Sequence, residues 1–96
     1  MNAAGSTQRC RRRVIVSGRV QNVWFRAATA KCAALAGVAG WVRNLEDGRV
    51  EAVLEGTLDA VNEMIDFCSR GTEMARVDRI EVIEEIPEEF DNFRIR

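Results

Sequence analysis

Histidine is absent from the 96 residues, and proline occurs once. Without imidazole there is no Cys/His zinc pattern and no Cys/His nucleophile pair. The three cysteines, Cys10, Cys32 and Cys68, are widely spaced and odd in number, which argues against a disulfide scaffold. Cys10 reads as a tail thiol and the other two as small core residues, with a Cys10 disulfide, within or between chains, as the alternative. No apolar run exceeds a few residues, so no bilayer-spanning helix and no membrane partner are expected. The opening MNAAGSTQRCRRR has basic residues but no apolar segment behind them, so no secretory signal is read and the cytoplasm is the default location. Residues 1–10 are expected to form a disordered tail ahead of a single domain, 11–96. Acid is missing from the first half: residues 1–44 hold eight Lys/Arg and no Asp or Glu, while all fifteen acids lie between Glu46 and Asp91. Compact folds interleave their halves, so this asymmetry need not survive as a patch. It does imply that whatever the first half binds is anionic.

What is present has the balance of an ordinary soluble globular domain, 47% hydrophobic and 30% charged. RRRVIVSG (11–18) is short, β-branched and bounded by glycine, which predicts a strand. Alanine-rich 26–36 places Phe25, Ala28, Cys32, Leu35 and Ala36 at helical spacing, with Gly37 as the stop. A second strand is expected over 39–45, then a turn at Glu46-Asp47-Gly48-Arg49. In VEAVLEG, Val50, Ala52 and Leu54 share one face and Glu51, Val53 and Glu55 the other. Residues 57–70 predict a helix with Leu58, Val61, Ile65 and Cys68 inward. Ala75–Ile86 predicts a strand with Ile80, Val82 and Ile86 on one side, ended by Pro87. Phe93–Arg96 predicts a short edge strand. The order is β-α-β-β-α-β plus a small addition: an α+β, ferredoxin-like split βαβ sandwich, with an antiparallel sheet and two helices on one face. The other face is left to solvent or a partner.

This topology brings distant residues together. A right-handed crossover makes strands one and two parallel, with strand three between them. Their C-terminal ends then share a rim about 10 Å across, two strand spacings. The loop entering the first helix, Arg26 and Asn44 all meet there. A loop feeding a helix N-terminus offers free N–H groups and the positive end of the dipole, from Gln21, Asn22, Val23, Trp24 and Phe25. Arg26, in the first turn, adds a fork suited to phosphate, although its charge opposes the dipole. Asn44 supplies an amide able to orient a water. Taken singly these are ordinary features: a solvated arginine, a turn asparagine, and aromatics of the core or surface at Trp24, Phe25 and Trp41.

The combination is more specific. VSGRVQNVWFR (16–26) resembles the strand-loop-helix signature of the acylphosphatase family, with its Gly-x-Val-Gln-Gly-Val core ending in Phe-Arg. GWVRNLEDGRVEAVLEG (40–56) is similar to the family's second signature, and Phe90-Asp91-Asn92-Phe93-Arg94-Ile95 to its closing strand. The resemblance spans essentially the whole chain. It implies hydrolysis of acyl phosphates to carboxylate and inorganic phosphate, with no covalent intermediate, no cofactor and no required metal. It places the catalytic arginine at Arg26, the water-positioning asparagine at Asn44 and the phosphate cradle at Gln21–Phe25, with the water's proton passing to the substrate's own phosphate. The departure is Asn22, where the family has glycine; asparagine is the residue next best able to take positive φ. Two other readings stand beside this one: a non-catalytic ferredoxin-like module binding RNA or another anion, and a carbamoyl phosphate domain of a larger maturation enzyme. No paired-aromatic RNA signature is evident, so nucleic acid is not expected as a partner. The chain ends soon after the fold closes, which favours a stand-alone enzyme, and a monomer is expected.

Overall fold

In the computed structural model, which describes residues 8–96, the elements run β1 (Arg9–Arg19), α1 (Phe25–Ala36), β2 (Ala39–Asn44), β3 (Val50–Thr57), α2 (Leu58–Arg70), β4 (Arg76–Glu85) and β5 (Phe93–Ile95). The sheet order is β4-β1-β3-β2-β5, with β3 antiparallel to both β1 and β2. This is the expected split βαβ order. The sheet is mixed, not wholly antiparallel, because β5 pairs parallel to β2 through Gly40, Trp41 and Val42. The chain returns from β4 by a long connection and so enters β5 in the direction of β2.

Strand β1 begins at Arg9, so Gln8–Cys10 is not part of a tail, and the rest of the expected tail (1–7) lies outside the described residues. Cys10 pairs with Gly56 across the sheet and packs against the core, correcting its reading as a tail thiol. Among the described residues all three cysteines are free. Burial pushes the Cys68 thiol up to about 12, so it is an inert core residue.

The core lies between the helices and one sheet face: Val14, Val16, Val42, Val50, Ala52 and Leu54 from strands, with Phe25, Ala33, Val61, Met64 and Cys68 from helices. Burying each large member contributes about 1.5–3 kcal/mol. Three members of the expected apolar stripes lie at the surface. Leu35 is 81% exposed, because α1 faces the sheet through Phe25, Thr29 and Ala33, one turn apart. Val82 and Ile86 are exposed too, since β4 is an edge strand and Ile86 lies past its end. Ile80 does pack on the core.

The sheet's other face is not left open to solvent. Glu55, fully buried on central β3, accepts from Arg9 at 3.1 Å, Arg11 at 3.4 Å, Glu88 N at 2.9 Å and Phe90 N at 3.1 Å. Arg11 continues to Glu85 at 2.9 Å, and Arg13 bridges Glu85 and Glu51, both at 2.6 Å. Arg43 closes the row on Glu51 at 2.7 Å, and Arg13, Arg43 and Arg96 stand over the Trp41 ring. The basic first half and acidic second half therefore meet side by side.

This network fixes an acid limit to stability. Burial pushes the Glu55 carboxyl up, but bonds from the Glu88 N–H, Arg9 and Arg11 outweigh it, and the group titrates below its ordinary 4.5. Burial is likewise outweighed at Glu51 by Arg13 and Arg43. Hydrogen bonds from Arg11 and then Arg13 hold Glu85 down. With depressed folded values, the unfolded chain takes protons first as pH falls. Stability is full above the unfolded value of 4.5 and is lost as pH drops through the folded values. Thermal midpoints should be flat from about pH 8 to about pH 5 and fall below that. A midpoint unchanged on further acidification would contradict the network's contribution.

Candidate active site

The exit from β1 sets the geometry. The β1–β4 register shifts between Ser17 and Gly18, and Gly18 has φ 128°, where an added Cβ would meet Arg76 O at 2.2 Å. Only glycine fits this close approach. The chain then dips, burying Val20 and Val23 in the core, and turns up into α1. Two side chains pin it. Gln21 Nε2 donates to Leu45 O at 2.7 Å and Arg49 O at 2.9 Å, the two carbonyls flanking the β2–β3 turn. Thr72 Oγ1 donates to Val23 O at 2.7 Å. The loop is thus tied to the end of β2, next to Asn44, from one side and to the α2–β4 connection from the other.

Asn22 (φ 62°) and Trp24 (φ 66°) both have left-handed backbones on either side of Val23. The positive φ that glycine would supply is present at Asn22. Asn22→Gly should leave kcat within about threefold, under ~0.7 kcal/mol. Asn22→Val, β-branched in a region costing about 1–2 kcal/mol for such residues, should weaken phosphate inhibition and stability together. Equal behaviour of the two variants in a phosphate-inhibited assay would show that the loop does not depend on this backbone.

The two helices begin differently. Helix α2 has Thr57 as N-cap, its hydroxyl accepting from Ala60 N at 3.2 Å, and Asp59 in its first turn. Helix α1 starts at Trp24 with no side-chain cap and no first-turn acid. Its first-turn N–H groups cannot be satisfied within the helix. Arg26 sits at that N-terminus, half-buried, with no ion pair or side-chain hydrogen bond to any described residue. Most other arginines of the sheet are paired. Across the rim, Asn44 Oδ1 is buried without a hydrogen-bond partner among the described residues. A buried acceptor left unpaired costs about 1–3 kcal/mol.

A cleft of about 420 Å³ joins these groups, lined by Val20, Asn22, Trp24, Phe25, Arg26, Ala27, Asn44 and Ile95. Topology had placed Arg26 and Asn44 on one rim, and the cleft brings both together. Of the loop residues, Asn22, Trp24 and Phe25 line it. Gln21 and Val23 do not: the Gln21 amide is spent on the turn, and the Val23 side chain is in the core. Ile95 was not foreseen as a lining residue; its only signal was membership of the closing strand. A larger hollow, about 740 Å³, lies beside the far half of α1, but Glu89 and Asp91 on its wall repel a phosphate and Arg9 there is paired with Glu55. Size therefore does not select the site.

Fold and cleft together define a class: a ferredoxin-like α+β sandwich with an uncapped loop–helix junction, an unpaired arginine and an orphaned amide at one rim. The family profile described as acylphosphatase matches residues 12–95. An acylphosphatase of Haloarcula marismortui is 54% identical over 86 residues, covering 90% of this chain and 94% of the relative. One from Gloeobacter violaceus is 52% identical over 85 residues, 88% of this chain and 91% of its own. The crystal structure of acylphosphatase from Bacillus subtilis superposes with a TM-score of 0.87 at 36% identity, covering 91% of this chain and 98% of that one. The chain belongs to the acylphosphatase family.

Proposed function

We propose that the chain hydrolyses acyl phosphates by holding the phosphate between the loop Gln21–Phe25 and Arg26 while Asn44 positions the attacking water. The reaction converts a carboxylic–phosphoric mixed anhydride to carboxylate and inorganic phosphate, the activity of the family to which the chain belongs. Left-handed backbones at Asn22 and Trp24, on both sides of Val23, are of the kind from which a nest of N–H groups for phosphate oxygens is built. The α1 N-terminus and the Arg26 fork add positive potential, and no cap or acid competes with the ligand.

The observation that carries the mechanism is the orphaned Asn44 Oδ1 in the same cleft as an unpaired Arg26. An acceptor held there takes one O–H of a water and turns its lone pair toward phosphorus. Attack forms a P–O bond as the bond from phosphorus to the acyl oxygen breaks, and the carboxylate leaves. Among the described residues no carboxylate, thiol or imidazole lines the cleft, and in this mechanism the water's proton passes to a phosphate oxygen. Charge spread over the equatorial oxygens is met by amides and guanidinium already in position. The acyl phosphate is activated, and positioning supplies most of the barrier reduction.

The reading takes the substrate to be a small molecule, with no cofactor, metal or nucleic-acid partner, and the protein to act as a cytoplasmic monomer. The site's groups all come from one chain, and the β1 arginines that would otherwise attract nucleic acid are engaged by Glu51, Glu55 and Glu85. No helix among the described residues is long and apolar enough to cross a membrane. The test is hydrolysis of benzoyl phosphate with inorganic phosphate as inhibitor. Turnover with competitive inhibition is expected; absence of turnover, or phosphate that does not compete, would overturn the reading.

A further inference from the structure

Trp24 has no explanation in the fold. Its backbone is left-handed, φ 66°, a conformation that costs a bulky residue about 1–2 kcal/mol and that glycine or asparagine takes far more cheaply. It is 74% exposed and lies outside the core and the residues packed on it, so burial offsets little of this. Strain kept without structural return points to use by a ligand. Ile95 is similar: 49% exposed, outside the core, and carried by β5, where it pairs in register with Val42. Trp24 and Ile95 line one cleft with Arg26 and Asn44.

We propose that Trp24 and Ile95 form an acyl-group subsite that selects acyl phosphates with a flat, apolar acyl group, aromatic above all. The subsite rests on acyl phosphate hydrolysis at this cleft and names the substrate class. Both residues line the cleft and are exposed, so they are available to an acyl group once its phosphate is seated at the loop and Arg26. An aromatic acyl group stacks on the indole and removes apolar surface of both residues from water. Among the described residues Arg26 is the one charged residue lining the cleft, and the phosphate takes it. An acyl group with its own carboxylate therefore finds no counter-ion there, and an acetyl group is too small to cover the indole.

The test compares benzoyl phosphate with acetyl phosphate in the wild type, Trp24→Asn and Ile95→Ala, with the inhibition constant of inorganic phosphate measured in each. Asparagine tolerates the left-handed backbone, so Trp24→Asn removes the indole and keeps the loop's path. In the wild type, kcat/KM should favour benzoyl phosphate by about tenfold, equivalent to ~1.4 kcal/mol. The preference should vanish in Trp24→Asn and shrink in Ile95→Ala, through KM more than kcat, and Trp24→Asn should also raise Tm because strain is relieved. A purely structural Trp24 would instead lower Tm on replacement and leave the substrate ratio alone. If Trp24→Asn loses phosphate inhibition, the ratio in Ile95→Ala decides. A preference unchanged in both variants, or absent from the wild type, overturns the subsite while leaving acyl phosphate hydrolysis standing. A wild type that turns over neither substrate overturns that hydrolysis and the subsite with it.

Discussion

Arg26→Ala is expected to lower kcat/KM for an acyl phosphate by about 10³-fold or more, the range found when an arginine that meets transferring phosphoryl charge is removed. Inorganic phosphate inhibition should weaken with it, because in the proposed mechanism the fork binds ground state and transition state alike. Arg26→Lys should recover only part of the loss: an ammonium restores charge but not the paired, planar contact. The protein itself should not suffer. Arg26 makes no ion pair or side-chain hydrogen bond with any described residue, and its charge lies at the positive end of α1. Removing a cation there should raise stability slightly, by about 0.3–1 kcal/mol at low salt. Activity falling while Tm holds or rises is the signature of a residue kept for its ligand. Turnover within tenfold of wild type would remove Arg26 from the mechanism, and a large fall in Tm would recast it as structural.

The sequence was most legible where one period or one short motif decides the outcome. The alternation of Val50, Ala52 and Leu54 against Glu51, Val53 and Glu55 matches strand β3, and glycines 37 and 71 do close the two helices. Arg26 and Asn44 reach one cleft because parallel strands flanking a third must end on the same rim. Legibility failed where a face is chosen by neighbours. Leu35 fits a helical stripe, but the sheet lies under Thr29 and Ala33, so Leu35 turns to solvent and Met64 of α2, at no stronger spacing, is buried instead. The charge-covered sheet face was illegible because Arg11 and Glu55 stand 44 positions apart and meet only through register. Gln21 shows the same limit within the site. Its place in the signature pointed to its backbone N–H as part of the cradle, but not to its side-chain amide, which holds the carbonyls of Leu45 and Arg49, residues that sequence separation gave no reason to connect with it. Thr72, gripping Val23 O from the α2–β4 connection, left no mark in the sequence at all.

Asn44→Ala should separate turnover from phosphate binding. In the proposed mechanism the side chain holds a water, not the anion, so kcat should fall by about 10²-fold, the scale of losing a near-attack position, while the inhibition constant of inorganic phosphate stays within a few-fold. Stability should hold or rise, because Oδ1 is a buried acceptor with no partner among the described residues, and its removal ends a desolvation cost of about 1–3 kcal/mol. Asn44→Asp distinguishes orientation from basicity. It keeps the acceptor and the shape, and a carboxylate is the stronger proton acceptor. If the cleft lacked only a base, Asn44→Asp would match or exceed wild type. With the substrate's own phosphate as proton acceptor it cannot, because the carboxylate faces a phosphate across the cleft, and like charge must weaken both substrate and product binding. Asn44→Asp should therefore lose phosphate inhibition that Asn44→Ala retains, and regain part of it as the pH is lowered and the carboxyl is protonated. Full activity in Asn44→Ala would end the water-positioning role. Full activity in Asn44→Asp at neutral pH would mean that the proton leaves through the protein and not through the substrate's phosphate.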